Sequence, residues 1–343
     1  MNNKDLHCYI DLHLHLDGSL PQDIVRKLAA QQNVPLEMSD AELKKILTVP
    51  LECKDLNEYL TKFDFPLKLM QTEEALEESI YSLLCRLDRQ GLIYCEVRFA
   101  PQLHTKQGLS QEQVVKAVLR GLAKIEESSE YTIRAGIILC CMRGDDNKEV
   151  NFDTVELAGK YLDKGVCGVD LAGAEALYPT MQFAELFERA KELKLPITIH
   201  AGEAAGAESI EQAVNMGAVR IGHGIHAIED KKVLELLKKH NIILELCPTS
   251  NLNTKAVGSL KEYPIMEFIQ SGVKVTVNTD NMTVSDTTIQ KEFERLKEKF
   301  EIKDELYKQL LYNSVQAAFT PEFVKEQLRE RIDRELSDSS KGR

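Results

Sequence analysis

A chain of 343 residues with 43% hydrophobic and 29% charged residues has the composition of a globular protein that buries a sizeable core, which excludes fibrous and disordered classes. Its formal net charge of −12, with the signs interspersed along helical stretches, repels phosphate backbones. A neutral or cationic small molecule is therefore the expected partner, not a nucleic acid, and the absence of any run of about 18 apolar residues excludes a membrane-spanning helix.

The opening MNNKDLHCYIDLHLHLDG lacks the basic region, apolar stretch and small-residue cleavage site of a secretory signal. Its apolar run at 8–13 predicts a buried strand that ends in His13-Leu14-His15. Residues 21–69 then form a long, mostly helical insertion in which Leu56, Tyr59, Leu60 and Phe63 recur at helical spacing. That spacing suits a helix packed on the fold; because the insertion leaves the end of the first strand, it also suits a lid over a site. Amphipathic helices follow at 73–89, 111–127, 183–194, 209–216 and 230–240. They alternate with apolar runs at 92–99, 132–141, 168–171, 197–201, 219–222, 242–246 and 273–278.

Near-continuous apolar strands between helices are buried on both faces, as in parallel sheets. Eight of them predict an α/β fold, a (β/α)8 TIM barrel with an extra helical insertion after strand 1; a doubly wound open sheet is the alternative. No repeat or linker divides the chain, so 1–343 reads as one domain with a polar tail, 331–343, expected to fray. The eight cysteines include no C-x-x-C, and the one close pair is Cys140-Cys141. They read as small core residues in a reducing, cytoplasmic setting.

On a strand, His13 and His15 project to one side while Leu12, Leu14 and Leu16 project to the other. Taken singly, such a pair is more often incidental. Yet His200 closes the apolar run 195–199, His223 follows 219–222, and Asp280 stands one threonine beyond 273–278. Each potential ligand thus falls at the C-terminal end of a predicted parallel strand, where barrel enzymes place their chemistry and core histidines have no reason to gather. Imidazoles with one carboxylate and no cysteine suit a catalytic zinc with an open position for water, whose pKa such an ion lowers to about 7. Asp280 has one oxygen for the metal and one for the water's proton. Glu203, three residues past His200 on a glycine turn, is placed to shuttle protons; the plainer reading is a helix-capping or solvent-facing acid. On the residues alone, His223 is not separable from a fourth imidazole ligand.

The segments His13-Leu14-His15-Leu16-Asp17-Gly18, Leu171-Ala172-Gly173, His200-Ala201-Gly202-Glu203, Ile221-Gly222-His223-Gly224 and Asn278-Thr279-Asp280 resemble, in order and spacing, those of the adenosine deaminases of the amidohydrolase superfamily. Tyr94 to Pro101 and Cys247 to Asn251 are similar to further segments of that family, and the resemblance runs from residue 6 to about 320. It implies hydrolytic deamination of adenosine and 2′-deoxyadenosine in purine salvage, with one zinc per chain held by His13, His15, His200 and Asp280. It moves His223 out of the ligand set, to orient the attacking hydroxide beside Asp280. Glu203 would donate a proton to purine N1, which requires a raised pKa.

The resemblance further implies that Gly173 offers its N–H to purine N3 and that Asp17 binds a ribose hydroxyl. His15 would border the substrate, and Leu56, Leu60 and Phe63 would form an apolar wall over the nucleoside. Glu96 and Arg98 read as a buried structural ion pair. Asn281 stands where many members carry an aspartate facing N7; its amide donates without first having to be protonated.

Other readings differ at identifiable positions. Adenine deaminases typically carry glutamate where Asp17 stands and often serine where Thr279 stands, and relatives acting on N6-methylated AMP usually carry asparagine in place of Asp17. An AMP deaminase needs a basic cluster for the phosphate, whereas a 5′-modified adenosine is compatible with Asp17. A non-catalytic nucleoside-binding barrel would have lost a ligand or the acid. Superfamily hydrolases with two metals bridge them by a lysine on a middle strand, and 168–171 has none, which favours one metal. The His-x-Glu and Pro-Cys-x-x-Cys pieces of the cytidine-type deaminases are absent.

Overall fold

The computed structural model describes residues 8–50 and 52–341. Eight strands alternate with helices: β1 (Tyr9–His15), β2 (Leu92–Phe99), β3 (Arg134–Met142), β4 (Val166–Ala172), β5 (Thr198–Ala201), β6 (Arg220–His223), β7 (Ile243–Leu246) and β8 (Lys274–Val277). Each lies within two residues of its predicted bounds, as do the five predicted helices. The strands run parallel in the orders β1-β2-β3-β4 and β5-β6-β7-β8. A bridge from Val169 to Ile197 joins the first set to the second, and one from Leu14 to Asp280 returns to β1. The sheet therefore closes into a barrel, and the open alternative is set aside. At the last seam the backbone of Asp280 donates to His13 O at 2.8 Å and accepts from His15 N–H at 2.7 Å. The two histidines and the aspartate are thus locked together before their side chains are considered.

Alternation along the strands sends Leu12 and Leu14 outward into one large apolar cluster beneath the helices, and Asp11 and His13 inward. Charge fills the interior below the histidines. Arg98 reaches Asp170 at 3.1 Å and Glu245 at 2.9 Å, while Arg220 reaches Glu245 and Glu96 at 2.6 Å each. The expected Glu96–Arg98 pair is corrected: both are buried, but each pairs across the barrel with a different strand. Side chains two apart on a strand stand side by side, so the facing strands supply the better-aimed partners.

The insertion comprises the helices Gln22–Gln31 and Asp40–Leu47, then Leu56–Leu60, which continues through a 3-10 turn at Thr61–Phe63 into Asp64–Leu69. Ser39 and Glu42 form a reciprocal capping box at the start of the second, and Asp55 caps Leu56–Leu60 through the N–H of Glu58. The insertion is both packed and lid-like. Tyr59 is buried and its hydroxyl meets Ser285 Oγ at 2.8 Å, while its neighbours face the cavity described below.

The helix Glu322–Lys341 runs on into the polar tail, and its Val324, Leu328 and Ile332 fall at helical spacing and bury against the core. Residues 342–343 lie outside the described residues.

Candidate active site

The C-terminal ends of the strands converge on one cavity of about 200 Å³. It is lined by His15, Asp17, Gly173, His200, Glu203, His223, Asp280 and Asn281, with Leu56, Tyr59, Leu60 and Phe63 of the insertion above them. Every residue anticipated to touch substrate is present. His13 lies directly beneath, fully buried.

Nitrogen and oxygen atoms of His13, His200, His223 and Asp280 fall within 4.8 Å of one another, a donor set suited to a metal ion. His15 joins them more tightly than that grouping conveys. Its Nε2 is 3.2 Å from His200 Nε2 and 3.4 Å from Asp280 Oδ1, which is also 3.4 Å from His13 Nε2. A tetrahedral ion with bonds of about 2.0–2.1 Å sets its ligand atoms roughly 3.3 Å apart. The buried His13 Nε2 has no hydrogen-bond partner among the described residues. These residues fit a bound metal.

Two of the imidazoles, His13 and His200, are aimed by a partner on the far nitrogen. His13 Nδ1 meets Glu245 Oε2 at 2.7 Å, and His200 Nδ1 meets Asp170 Oδ2 at 2.9 Å. Such carboxylates fix tautomer and ring orientation. Asp280 Oδ2 accepts the Ser250 hydroxyl at 2.5 Å, leaving Oδ1 toward the histidines. Burial opposes the charge on Asp280, but the adjacent His13, then the other imidazoles, hold its carboxyl well below the ordinary carboxylate range.

His223 has a different setting. Tyr263 donates its hydroxyl to Asn251 Oδ1 at 3.1 Å, so Asn251 Nδ2 is the atom that donates to His223 Nδ1 at 3.0 Å. The ring proton therefore resides on Nε2, which points to Glu203 Oε2 at 3.5 Å. Burial, then the nearby His13, keeps this imidazole neutral by lowering its pKa well below the usual value. Both His223 (φ 61°) and Asp280 (φ 60°) adopt the left-handed backbone region that ordinary residues avoid, a local strain of order 1 kcal/mol or more that aims their side chains.

Glu203 is buried and also accepts the Thr254 hydroxyl at 3.2 Å. Burial first, then the Asp280 and Glu175 carboxylates, raise its pKa well above the ordinary carboxylate range, which favours the protonated acid. Asp17 is raised to about 6, chiefly by burial. Asn281 is buried in the cavity wall and its Oδ1 has no partner among the described residues.

Sequence reasoning missed Asp170, Glu175, Glu245, Ser250, Tyr263 and Thr254. Asp170 and Glu245 carried a signal, since each is a lone acid inside an apolar strand. The others are ordinary polar residues whose partners lie far along the chain.

A sequence profile described as adenosine deaminase matches residues 9–335. The chain is 51% identical over 314 residues to an adenosine deaminase of Haemophilus ducreyi, covering 90% of this chain and 91% of that one. It is 42% identical over 324 residues to an adenosine deaminase of Enterococcus faecalis, covering 94% and 95%. Among solved structures, an adenine deaminase from Arthrobacter aurescens superposes with a TM-score of 0.86 at 28% identity, covering 97% of this chain and 98% of that chain.

Proposed function

The chain belongs to the adenosine deaminase family, and from that premise we propose that it hydrolyses adenosine and 2′-deoxyadenosine to inosine and 2′-deoxyinosine with release of ammonia. The observation that carries this reading is a buried Glu203, its pKa raised by burial, facing the same cavity as the histidine–aspartate group. His13, His15, His200 and Asp280 would hold one zinc ion, which when bound acts as a Lewis acid and lowers the pKa of water.

The residues do the rest. Gly173 N–H, Asn281 and Asp17 orient the purine and the ribose, and the apolar wall of Leu56, Leu60 and Phe63 excludes bulk water. Glu203 gives its proton to N1, which weakens the aromatic C6–N1 bond and opens C6 to water. His223 presents Nε2–H to the attacking oxygen, and Asp280 accepts a proton from it. C6 becomes tetrahedral and then releases the amino group. Of the two protons lost by water, one leaves with ammonia and one returns to Glu203, while N1 keeps the proton it received.

The cavity favours a nucleoside over a nucleotide. Among the described residues no lysine or arginine lines it, and Asp17 and Asp64 both do. A 5′-phosphate would meet negative charge. Asp17 likewise favours a ribose-bearing substrate over free adenine. The matched span and the large core cluster support a single hydrolase domain. No helix among the described residues is long and apolar enough to cross a membrane. All eight cysteines are free, which supports a reducing, cytoplasmic setting.

The test is a substrate panel of adenosine, 2′-deoxyadenosine, adenine, AMP and a 5′-thio nucleoside on zinc-loaded protein. Turnover of the two nucleosides with release of ammonia is expected. Failure on both would overturn the reading, and a preference for adenine or the 5′-thio nucleoside would reassign the substrate.

A further inference from the structure

Glu175 lies in the loop after β4 and is 2% exposed, yet it is not among the residues that line the cavity. A buried carboxylate must be hydrogen-bonded to persist. Here five donors converge on it. Oε1 accepts the N–H of Gly202 at 2.7 Å and the Ser209 hydroxyl at 2.5 Å. Oε2 accepts the N–H groups of Glu203 at 3.0 Å, Ala204 at 2.8 Å and Ala205 at 3.1 Å. Gly202 has φ +70°, which turns these successive N–H groups to one side and forms a concave anion cradle filled by a side chain of the protein itself.

The cradle is tied to the metal-site strand by a chain of hydroxyls with a defined direction. Buried Arg143 donates to His200 O at 2.6 Å and to Thr180 Oγ1 at 2.9 Å. Since Ser209 donates to Glu175, the 2.7 Å contact between Thr180 and Ser209 runs from Thr180 to Ser209. Arginine, threonine, serine and glutamate thus form one polarised line around the end of β5. The carboxyl group of Glu203 meets Thr254 at 3.2 Å and His223 at 3.5 Å, while its backbone N–H is held by Glu175.

We propose that Glu175 is a positioning residue for the reaction: its carboxylate clamps the 202–205 turn and thereby presents the Glu203 acid to purine N1. This rests on the proposed function, so turnover by the wild-type protein is established first. Failure of that reading shows in the wild type, and failure of this inference shows in the variants alone.

The experiment is a double-mutant cycle of Glu175→Ala and Glu203→Ala on zinc-loaded protein, with metal content measured for each. Glu175→Ala is expected to lower kcat about 10²-fold or more, the scale of losing a positioned acid, with KM within about threefold. In the Glu203→Ala background the same change should cost less than about threefold, because the group it acts through is gone. Binding of 1-deazaadenosine, which offers no N1 to the acid, should stay within about threefold of wild type.

If Glu175→Ala does not fold, Glu175→Gln replaces it. The amide keeps the shape but confronts backbone donors with its own N–H groups, so the same pattern is expected. Wild-type kcat in the variant that folds, or an equal loss with and without Glu203, overturns the proposal.

Discussion

His13 Nδ1 lies 2.7 Å from Glu245 Oε2, and the same oxygen accepts from Arg98 at 2.9 Å. One buried carboxylate therefore aims a metal-site imidazole and neutralises a barrel-core guanidinium. Glu245→Gln separates the two duties. Zinc affinity should fall about 10–100-fold, the usual cost of losing the partner of a ligating histidine. Leaving Arg98 and Arg220 with one fewer buried anion should also destabilise the fold by about 3–5 kcal/mol. Chelator competition reads the first and denaturant unfolding the second; unchanged zinc affinity would show that Glu245 serves the core alone.

The Tyr263–Asn251–His223 line sets a proton on His223 Nε2. Asn251→Asp can only accept, which moves the ring proton to Nδ1 and leaves Nε2 without its donor. We expect kcat to drop about 10²–10³-fold, the scale of removing one donor to a developing oxyanion, with KM little changed. Nitrogen NMR of the imidazole reads the tautomer. Full activity with the shifted tautomer would mean that His223 is not a donor in the reaction.

The Glu203 carboxyl is facing Asp280, Glu175 and His223, and its pKa stands well above the ordinary range because of burial and then the two carboxylates. The protonated form is the working one, so kcat should fall as pH rises through the raised value. The sign for stability is the same. A raised folded-state pKa contributes stability that is complete below the ordinary carboxylate range and is lost as pH climbs through the folded value. In Glu203→Gln that loss should vanish, giving a flatter Tm–pH curve above the ordinary carboxylate range while kcat collapses. A curve as steep as wild type would assign the loss to another group.

A Cβ on Gly18 would stand 1.8 Å from Asn281 Oδ1, so Gly18→Ala must displace the amide from the cavity wall. Asn281→Ala removes it outright. Both should raise KM for adenosine about tenfold, near the 1–2 kcal/mol of one lost hydrogen bond, with a smaller effect on kcat. Unchanged nucleoside affinity in Asn281→Ala would remove this residue from purine recognition.

The barrel and the ends of its strands were legible because their information is local. Apolar runs that alternate with amphipathic helices specify buried parallel strands, and residues two apart on a strand must share a face, which is why His13 and His15 could be paired on sight. The placement of His200, His223, Glu203 and Asp280 followed from their positions just beyond such runs. The helical phase of residues 56–63 likewise marked a packed segment without saying what it covered.

What tertiary structure alone decided are the choices between partners distant in the chain. Glu96 and Arg98 stand on the same face of β2, yet Glu96 meets Arg220 while Arg98 meets Asp170 and Glu245. His223 is distinguished by Asn251 on one nitrogen and Glu203 near the other. Glu175, unremarkable between Gly173 and Leu177 in the sequence, becomes the clamp of a turn 27–30 residues away. The strand pattern obeys short-range periodicity, which a sequence displays. A buried charge takes whichever counter-group the closed barrel brings within about 3 Å, and only closure of the chain supplies that distance.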